Sequence, residues 1–219
     1  MTDNAATTTS PAGPGEGPRA RRWPRRLLWP AIWLVIIVAA LFADQRLEAA
    51  YHSTLGSVDA LTLPAYALTE LLKLRPVFLF AILLLLADRR LRWRFATDFT
   101  VVMLLQAVAN SGLKELFGRM RPDSPELAGR FLGPMGAMEG NSVPSGHAVA
   151  AWALAAAMAA YYPRWRWAFY IGAVLVCLAR VQLGAHYPGD VIAGGVIGWY
   201  IAQGLMQWLE RQRTTADGG

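Results

Sequence analysis

Three short stretches hold polar residues that their apolar surroundings do not explain. They are "LKELFGRMRP" ending at Pro122, "PSGHAVA" starting at Pro144, and "ARVQLGAHYPGD" ending at Asp190. Lys114, Arg121 and Arg180 are cations in or beside apolar segments, where a solitary charge is costly. Three neighbouring cations repel one another unless an anion joins them, and phosphate is the anion that guanidinium forks fit. Ser145 and Gly146 stand where an apolar helix should begin, and free N–H groups and the positive dipole end favour an anion there. Glycine also lets a ligand come close to the backbone. Of the chain's three histidines, His147 and His186 fall in these stretches and His52 does not. One imidazole can attack phosphorus while the other protonates the leaving oxygen. Asp190 lies four residues after His186, and Pro188 suits the first turn of a helix between them. From that turn the carboxylate can reach back to one nitrogen of His186, holding the tautomer that leaves the other nitrogen free.

Each feature has a bland alternative. Lys114 alone reads equally well as a snorkelling lysine, and a lone histidine at a helix end as a surface or capping residue. Arg121 follows Lys114 by seven residues, two turns along one face if the helix continues, although Pro122 argues that it stops about there.

The elements that must position these groups are apolar. Of the 219 residues, 55% are hydrophobic and 16% charged, below the roughly 25% charge usual in soluble domains. The net charge of +6 is spread in short clusters between apolar runs, as in membrane anchors and unlike a nucleic-acid face. One cysteine, Cys177, excludes an internal disulfide or cysteine metal site and reads as a small buried residue. Residues 1–22 read as a disordered cytoplasmic tail, residues 23–210 as the membrane domain, and residues 211–219 as a cytoplasmic tail.

Six apolar runs follow one another: Leu27–Ala43, Pro76–Ala87 extended from the Leu71–Arg75 side, Phe99–Phe117, Gly146–Tyr162, Trp167–Leu183 and Val191–Leu209. The first reads as a retained span, because "LFA" before Asp44 is a poor cleavage site for a signal peptide. Thr97 or Asp98 offers an N-cap for the third. The segment Asp44–Arg75 reads as a loop with an amphipathic helix marked by Leu61, Ala65, Leu68, Leu71 and Leu72. Thirteen of the 21 basic residues fall on alternate connections, in the clusters at 19–26, 89–94, 164–166 and 211–213. The positive-inside rule then places both termini in the cytoplasm and all three polar stretches on the outer side. Tryptophans near the span ends, among them Trp93, Trp165, Trp167 and Trp208, read as interfacial anchors. The expected fold is all-α, a bundle of six transmembrane helices in the cell membrane, its compact form suiting a bacterial one.

In order, the stretches read K-x6-RP, PSGH and R-x5-H-x3-D, each at a span boundary. This resembles the type 2 phosphatidic acid phosphatase superfamily, over Lys114 to Asp190 in motif and over most of the remaining chain in layout. The resemblance implies a metal-independent phosphatase acting through a phosphohistidine, with no cofactor. It makes Lys114, Arg121 and Arg180 phosphate ligands, with Ser145 and Gly146 completing the cradle. His147 becomes the general acid, His186 the nucleophile and Asp190 its orienting partner. The family often has serine before the third-motif arginine, where this chain has Ala179. The implied partners are membrane lipids and a lipid phosphate substrate: phosphatidic acid, phosphatidylglycerol phosphate, an isoprenyl diphosphate or a lipid A phosphate. Arg130 and Glu139 read equally as solvated charges or headgroup contacts. The alternatives are a lipid phosphotransferase using the same intermediate, a soluble vanadium haloperoxidase, disfavoured by the spans, and an anion transporter, which leaves the acid–base pair unexplained.

Overall fold

The structure is a computed structural model that describes residues 25–56, 59–71, 92–124, 126–134, 136 and 140–217. The expectations for the N-terminal tail, the second apolar run, Lys73, Arg75 and Glu139 lie outside these residues. Six α-helices are described: α1 (Arg25–Tyr51), α2 (Thr62–Leu71), α3 (Arg92–Phe117), α4 (Gly146–Tyr161), α5 (Arg166–Gln182) and α6 (Pro188–Asp217). Among the described residues the fold is all-helical, with only the isolated bridges Arg119–Phe131 and Met120–Asn141 between extended segments.

The bundle is built around α4. Alanine carries the smallest conformational cost in a helix, and its short side chain lets backbones approach closely. Ala148, Ala151, Ala153, Ala155, Ala156 and Ala157 are all buried along it. Against this helix α6 presents Gly194 and Gly198. A Cβ at Gly194 would lie 2.8 Å from the Ser145 carbonyl oxygen, and one at Gly198 2.2 Å from that of Val149. The two glycines therefore form a seam against another helix, as small residues four apart allow. Next to it, α5 and α3 cover the remaining faces of α4, α1 lies along α6, and α2 along α5.

Outward-facing apolar side chains remain on α1 (Leu34, Val35, Phe42), α3 (Leu104, Val108) and α5 (Ile171, Leu175). Such faces suit hydrocarbon as solvent. By length and hydropathy Leu28–Thr54 is apolar enough to cross a membrane, and among the described residues no other helix meets both conditions. The 16 residues of α4 and 17 of α5 fall short of the roughly 20 that a perpendicular span needs. Trp29, Trp93, Trp165, Trp167 and Trp208 are exposed, as anchors must be.

Several boundaries differ from the sequence expectation. Helix α3 begins at Arg92, so Thr97 and Asp98 lie inside it. The Thr97 hydroxyl bonds back to the Trp93 carbonyl at 3.0 Å, and Asp98 is buried with Tyr161 and Arg213. That cluster ties α3, α4 and α6 at the end remote from the polar stretches, and α6 is helical as far as Asp217, into the expected tail. Asp44, expected in a loop, lies within α1 and is buried. Cys177 is half-buried.

Candidate active site

Helix α3 stops at Phe117 because Gly118 takes φ +54°, a left-handed conformation. A Cβ there would meet the Gly133 carbonyl oxygen at 2.1 Å, so only glycine fits. Lys114 is consequently in the last turn of the helix, while Arg121 is in the following loop and not two turns along the same face. This loop carries the first stretch to the second. Ser142 N–H donates to the Arg119 carbonyl at 2.6 Å, and Lys114 Nζ donates to the Asn141 carbonyl at 3.2 Å. The second stretch is joined to the third by Ser145 N–H, which donates to the Asp190 carbonyl at 3.1 Å. All three stretches thus meet at one end of the bundle.

Ser145 occupies the N-cap position of α4, yet its hydroxyl caps nothing. Serine at this position usually accepts from an N–H one turn on. Here Ser145 Oγ, Arg121 Nε and Arg180 Nε are buried atoms without a hydrogen-bond partner. Buried polar groups are rarely left so; Asn110 Oδ1 and Asn141 Oδ1 are unpartnered as well, and Arg121 and Arg180 lie near enough to His186 to act on its charge. Gly146 opens the helix under a second constraint, since a Cβ would lie 3.1 Å from Asn110 Nδ2. His147 follows in the first turn, half-buried. Arg130 is exposed, and its carbonyl accepts from Met120 N–H at 2.9 Å.

Helix α5 ends at Gln182, and Gly184 at φ +61° turns the chain toward His186 and the start of α6. Pro188 takes the first position of α6, and Asp190 lies in its first turn, as the sequence suggests. His186 and Asp190 are both buried. Asp190 Oδ2 accepts from Tyr187 N–H at 3.0 Å, a capping arrangement that fixes the carboxylate.

The contact between Asp190 and His186 differs from the direct bond expected. Oδ2 is 3.8 Å from Nδ1, beyond hydrogen-bond range. Ser142 stands between them: its hydroxyl donates to Asp190 Oδ2, and its oxygen is 3.4 Å from His186 Nδ1. A hydroxyl has one proton, so with that proton on Asp190 the oxygen can only accept from Nδ1–H. This network leaves Nε2 with its lone pair free. Burial pushes the His186 pKa down; the negative charge of Asp190 opposes the shift, and Arg180 and Arg121 reinforce it. Burial thus favours the neutral form of the ring.

Sequence reasoning missed three residues: Ser142, Asp44 and Arg119. Arg119 Nη1 donates to Asp190 Oδ1 at 2.6 Å and to Asp44 Oδ2 at 2.7 Å. Of these, Arg119 had one sequence signal: it lies outside the basic clusters at 19–26, 89–94, 164–166 and 211–213. Beside the site, a cavity of about 550 Å³ is lined by Trp33, Tyr51, Val181, Pro188, Val191 and Trp199 among others.

A family model described as the PAP2 superfamily matches residues 95–214. The chain is 42% identical over 111 residues to a lipid A 1-phosphatase of Rhizobium etli, covering 49% of this chain and 47% of the relative. It is 31% identical over 138 residues to a lipid A 4'-phosphatase of Bacteroides thetaiotaomicron, covering 56% and 59%. An undecaprenyl-diphosphatase of Sulfolobus acidocaldarius is 32% identical over 124 residues, covering 54% and 57%. The matches thus span about half the length of these curated relatives. A transmembrane PAP2-type phosphatidylglycerolphosphate phosphatase from Bacillus subtilis shares the fold with TM-score 0.58 and 20% identity, over 84% of this chain and 96% of that one.

Proposed function

Because the chain belongs to the PAP2 superfamily, we propose that it is a membrane phosphatase that hydrolyses a lipid phosphate or diphosphate through a phosphohistidine. The observation that carries this reading is the set of unpartnered buried atoms, Arg121 Nε, Arg180 Nε and Ser145 Oγ, beside a buried neutral imidazole. Lys114, Arg121 and Arg180 neutralise the phosphate oxygens, and Ser145 with the N–H groups at Gly146 completes the cradle. His186 Nε2 gives its lone pair to phosphorus as the P–O bond to the lipid breaks. His147 protonates the departing oxygen. Water then attacks phosphorus as its proton passes to His147, the P–N bond breaks, and inorganic phosphate leaves with both histidines restored. Charge on the phosphoryl oxygens is met by fixed cations throughout, so no metal ion is needed for that task.

A lipid as the phosphate donor is supported by the outward apolar faces, by the cavity beside Pro188 and Val191, and by the lipid-directed names of the relatives. That cavity lies within the 300–1,000 Å³ typical of ligand sites. The alternation of basic clusters along the sequence supports cytoplasmic termini and a site at the outer face, where a lipid would arrive laterally.

A panel of lipid A, isoprenyl and glycerophospholipid phosphates, assayed with chelator, tests the activity. Release of phosphate and an alkali-stable, acid-labile phosphoenzyme are expected. Transfer of the phosphoryl group to an added alcohol in place of water marks a phosphotransferase, and phosphate uptake into vesicles without turnover marks a transporter. Cysteine labels introduced at Ser124 and Thr97 should report opposite sides of intact cells; labelling of both from one side overturns the topology.

A further inference from the structure

Asp44 and Arg119 take no part in the phosphate cradle or in proton transfer as proposed above, yet they are built into the site with great economy. One nitrogen, Arg119 Nη1, serves both Asp190 Oδ1 at 2.6 Å and Asp44 Oδ2 at 2.7 Å. The second Asp44 oxygen accepts from Gly189 N–H at 2.5 Å, although 145 residues separate the two in the chain. Asp44 on α1 therefore caps the N-terminus of α6 one residue before Asp190. The side chains of Arg119, Asp44 and Asp190 are 4%, 2% and 0% exposed. The guanidinium is further held 4.3 Å from the ring centroid of Tyr187, the neighbour of His186. The two oxygens of Asp190 are divided between tasks: Oδ1 takes Arg119, and Oδ2 takes Ser142 and Tyr187 N–H. Rotation of the carboxylate is thereby fixed from the Arg119 side. Without the cation, two buried carboxylates would face each other.

We propose that Asp44 and Arg119 are positioning residues for the nucleophile, so that a relay Asp44–Arg119–Asp190–Ser142–His186 ties the first helix to the reacting imidazole. This rests on His186 being the nucleophile. A merely structural ion pair would, when removed, lower stability and leave turnover by the folded protein alone. A positioning pair lowers kcat and leaves KM in place, because neither residue touches the phosphate.

The test uses the full chain purified in detergent, with kcat, KM and unfolding temperature measured on a lipid phosphate that the wild type hydrolyses. Asp44→Asn keeps an oxygen for Gly189 N–H and removes the charge, and should lower kcat on the order of 10-fold at unchanged KM. The double variant Asp44→Asn/Arg119→Gln removes the cation together with its outer partner, avoiding two opposed carboxylates. It should retain most of the stability and lose on the order of 100-fold in kcat. Arg119→Lys, which keeps one cationic nitrogen, should recover part of that loss. Wild-type kcat in Asp44→Asn and in the double variant, or a loss confined to KM, overturns the proposal. If the double variant does not fold, Asp44→Asn decides by the same criterion. Absence of turnover in the wild type overturns the functional reading and this inference with it, whereas active wild type with unaffected variants overturns the inference alone.

Discussion

Asp190 Oδ2 lies 3.8 Å from His186 Nδ1, and the hydroxyl of Ser142 spans the gap. In the proposed mechanism the carboxylate acts on His186 through this intermediate hydroxyl. Ser142→Ala should therefore reduce kcat, and Asp190→Asn should reduce it more, because Asp190 also anchors Tyr187 N–H and Arg119. Losses on the order of 10-fold and 10³-fold are expected. Steady-state kinetics on one lipid phosphate checks the order; a silent Ser142→Ala would show that the hydroxyl relays nothing.

The two histidines separate by leaving group. His186→Ala removes the proposed nucleophile, so turnover and phosphoenzyme should vanish with any substrate. His147→Ala removes a proton donor worth about 10²- to 10⁴-fold for an alkoxide leaving group. With p-nitrophenyl phosphate, whose leaving group departs unaided, most of that loss should disappear. Rescue of His186→Ala by the activated ester, with no rescue of His147→Ala, would exchange the roles.

The pH dependence follows from burial of His186. Its pKa is lowered from 6.5, so the ring stays neutral to a lower pH than an exposed histidine would. The acid limb of kcat/KM should lie below pH 6.5. The same sign applies to folding: stability from the neutral ring is fully present above the unfolded-state pKa and declines as pH falls below it. An acid limb above the ordinary histidine range contradicts the buried neutral ring.

The glycine seam predicts a stability effect without a chemical one. Gly198→Ala places a Cβ 2.2 Å from the Val149 carbonyl oxygen, so α4 and α6 must part. A loss of about 1–3 kcal/mol is expected. Gly172→Ala, with nothing within 4 Å of its Cβ, is the matched control and should be neutral or slightly stabilising. Thermal unfolding in detergent distinguishes them, and equal effects would remove the packing argument.

At the opposite end, Asp98 accepts from Tyr161 and Arg213, the latter at 2.9 Å and 2.5 Å. Asp98→Ala should cost about 2–3 kcal/mol and leave KM for a lipid phosphate unchanged, since the cluster lies at the other end of α4 from the cradle. A raised KM would connect the two ends.

The sequence by itself determined the helical fold, because long apolar runs with few charges have few other solutions. It marked the residues that the proposed cradle uses, because cations, a hydroxyl, glycine and imidazoles at apolar boundaries together suit an anion. It also marked Gly194 and Gly198, since their spacing places both on one helical face. Only the tertiary structure decided how the carboxylate reaches the imidazole. Ser142 precedes the PSGH stretch as an ordinary polar residue, and its position between His186 and Asp190 depends on pairing with the Arg119 backbone. Asp44 and Arg119 were illegible for the same reason. An acid beside an apolar run and an arginine in a loop look like surface charges, and their burial is set by a contact spanning 75 residues of chain. Local pattern records which groups a segment offers, whereas charge pairing across distant helices is settled only when those helices pack.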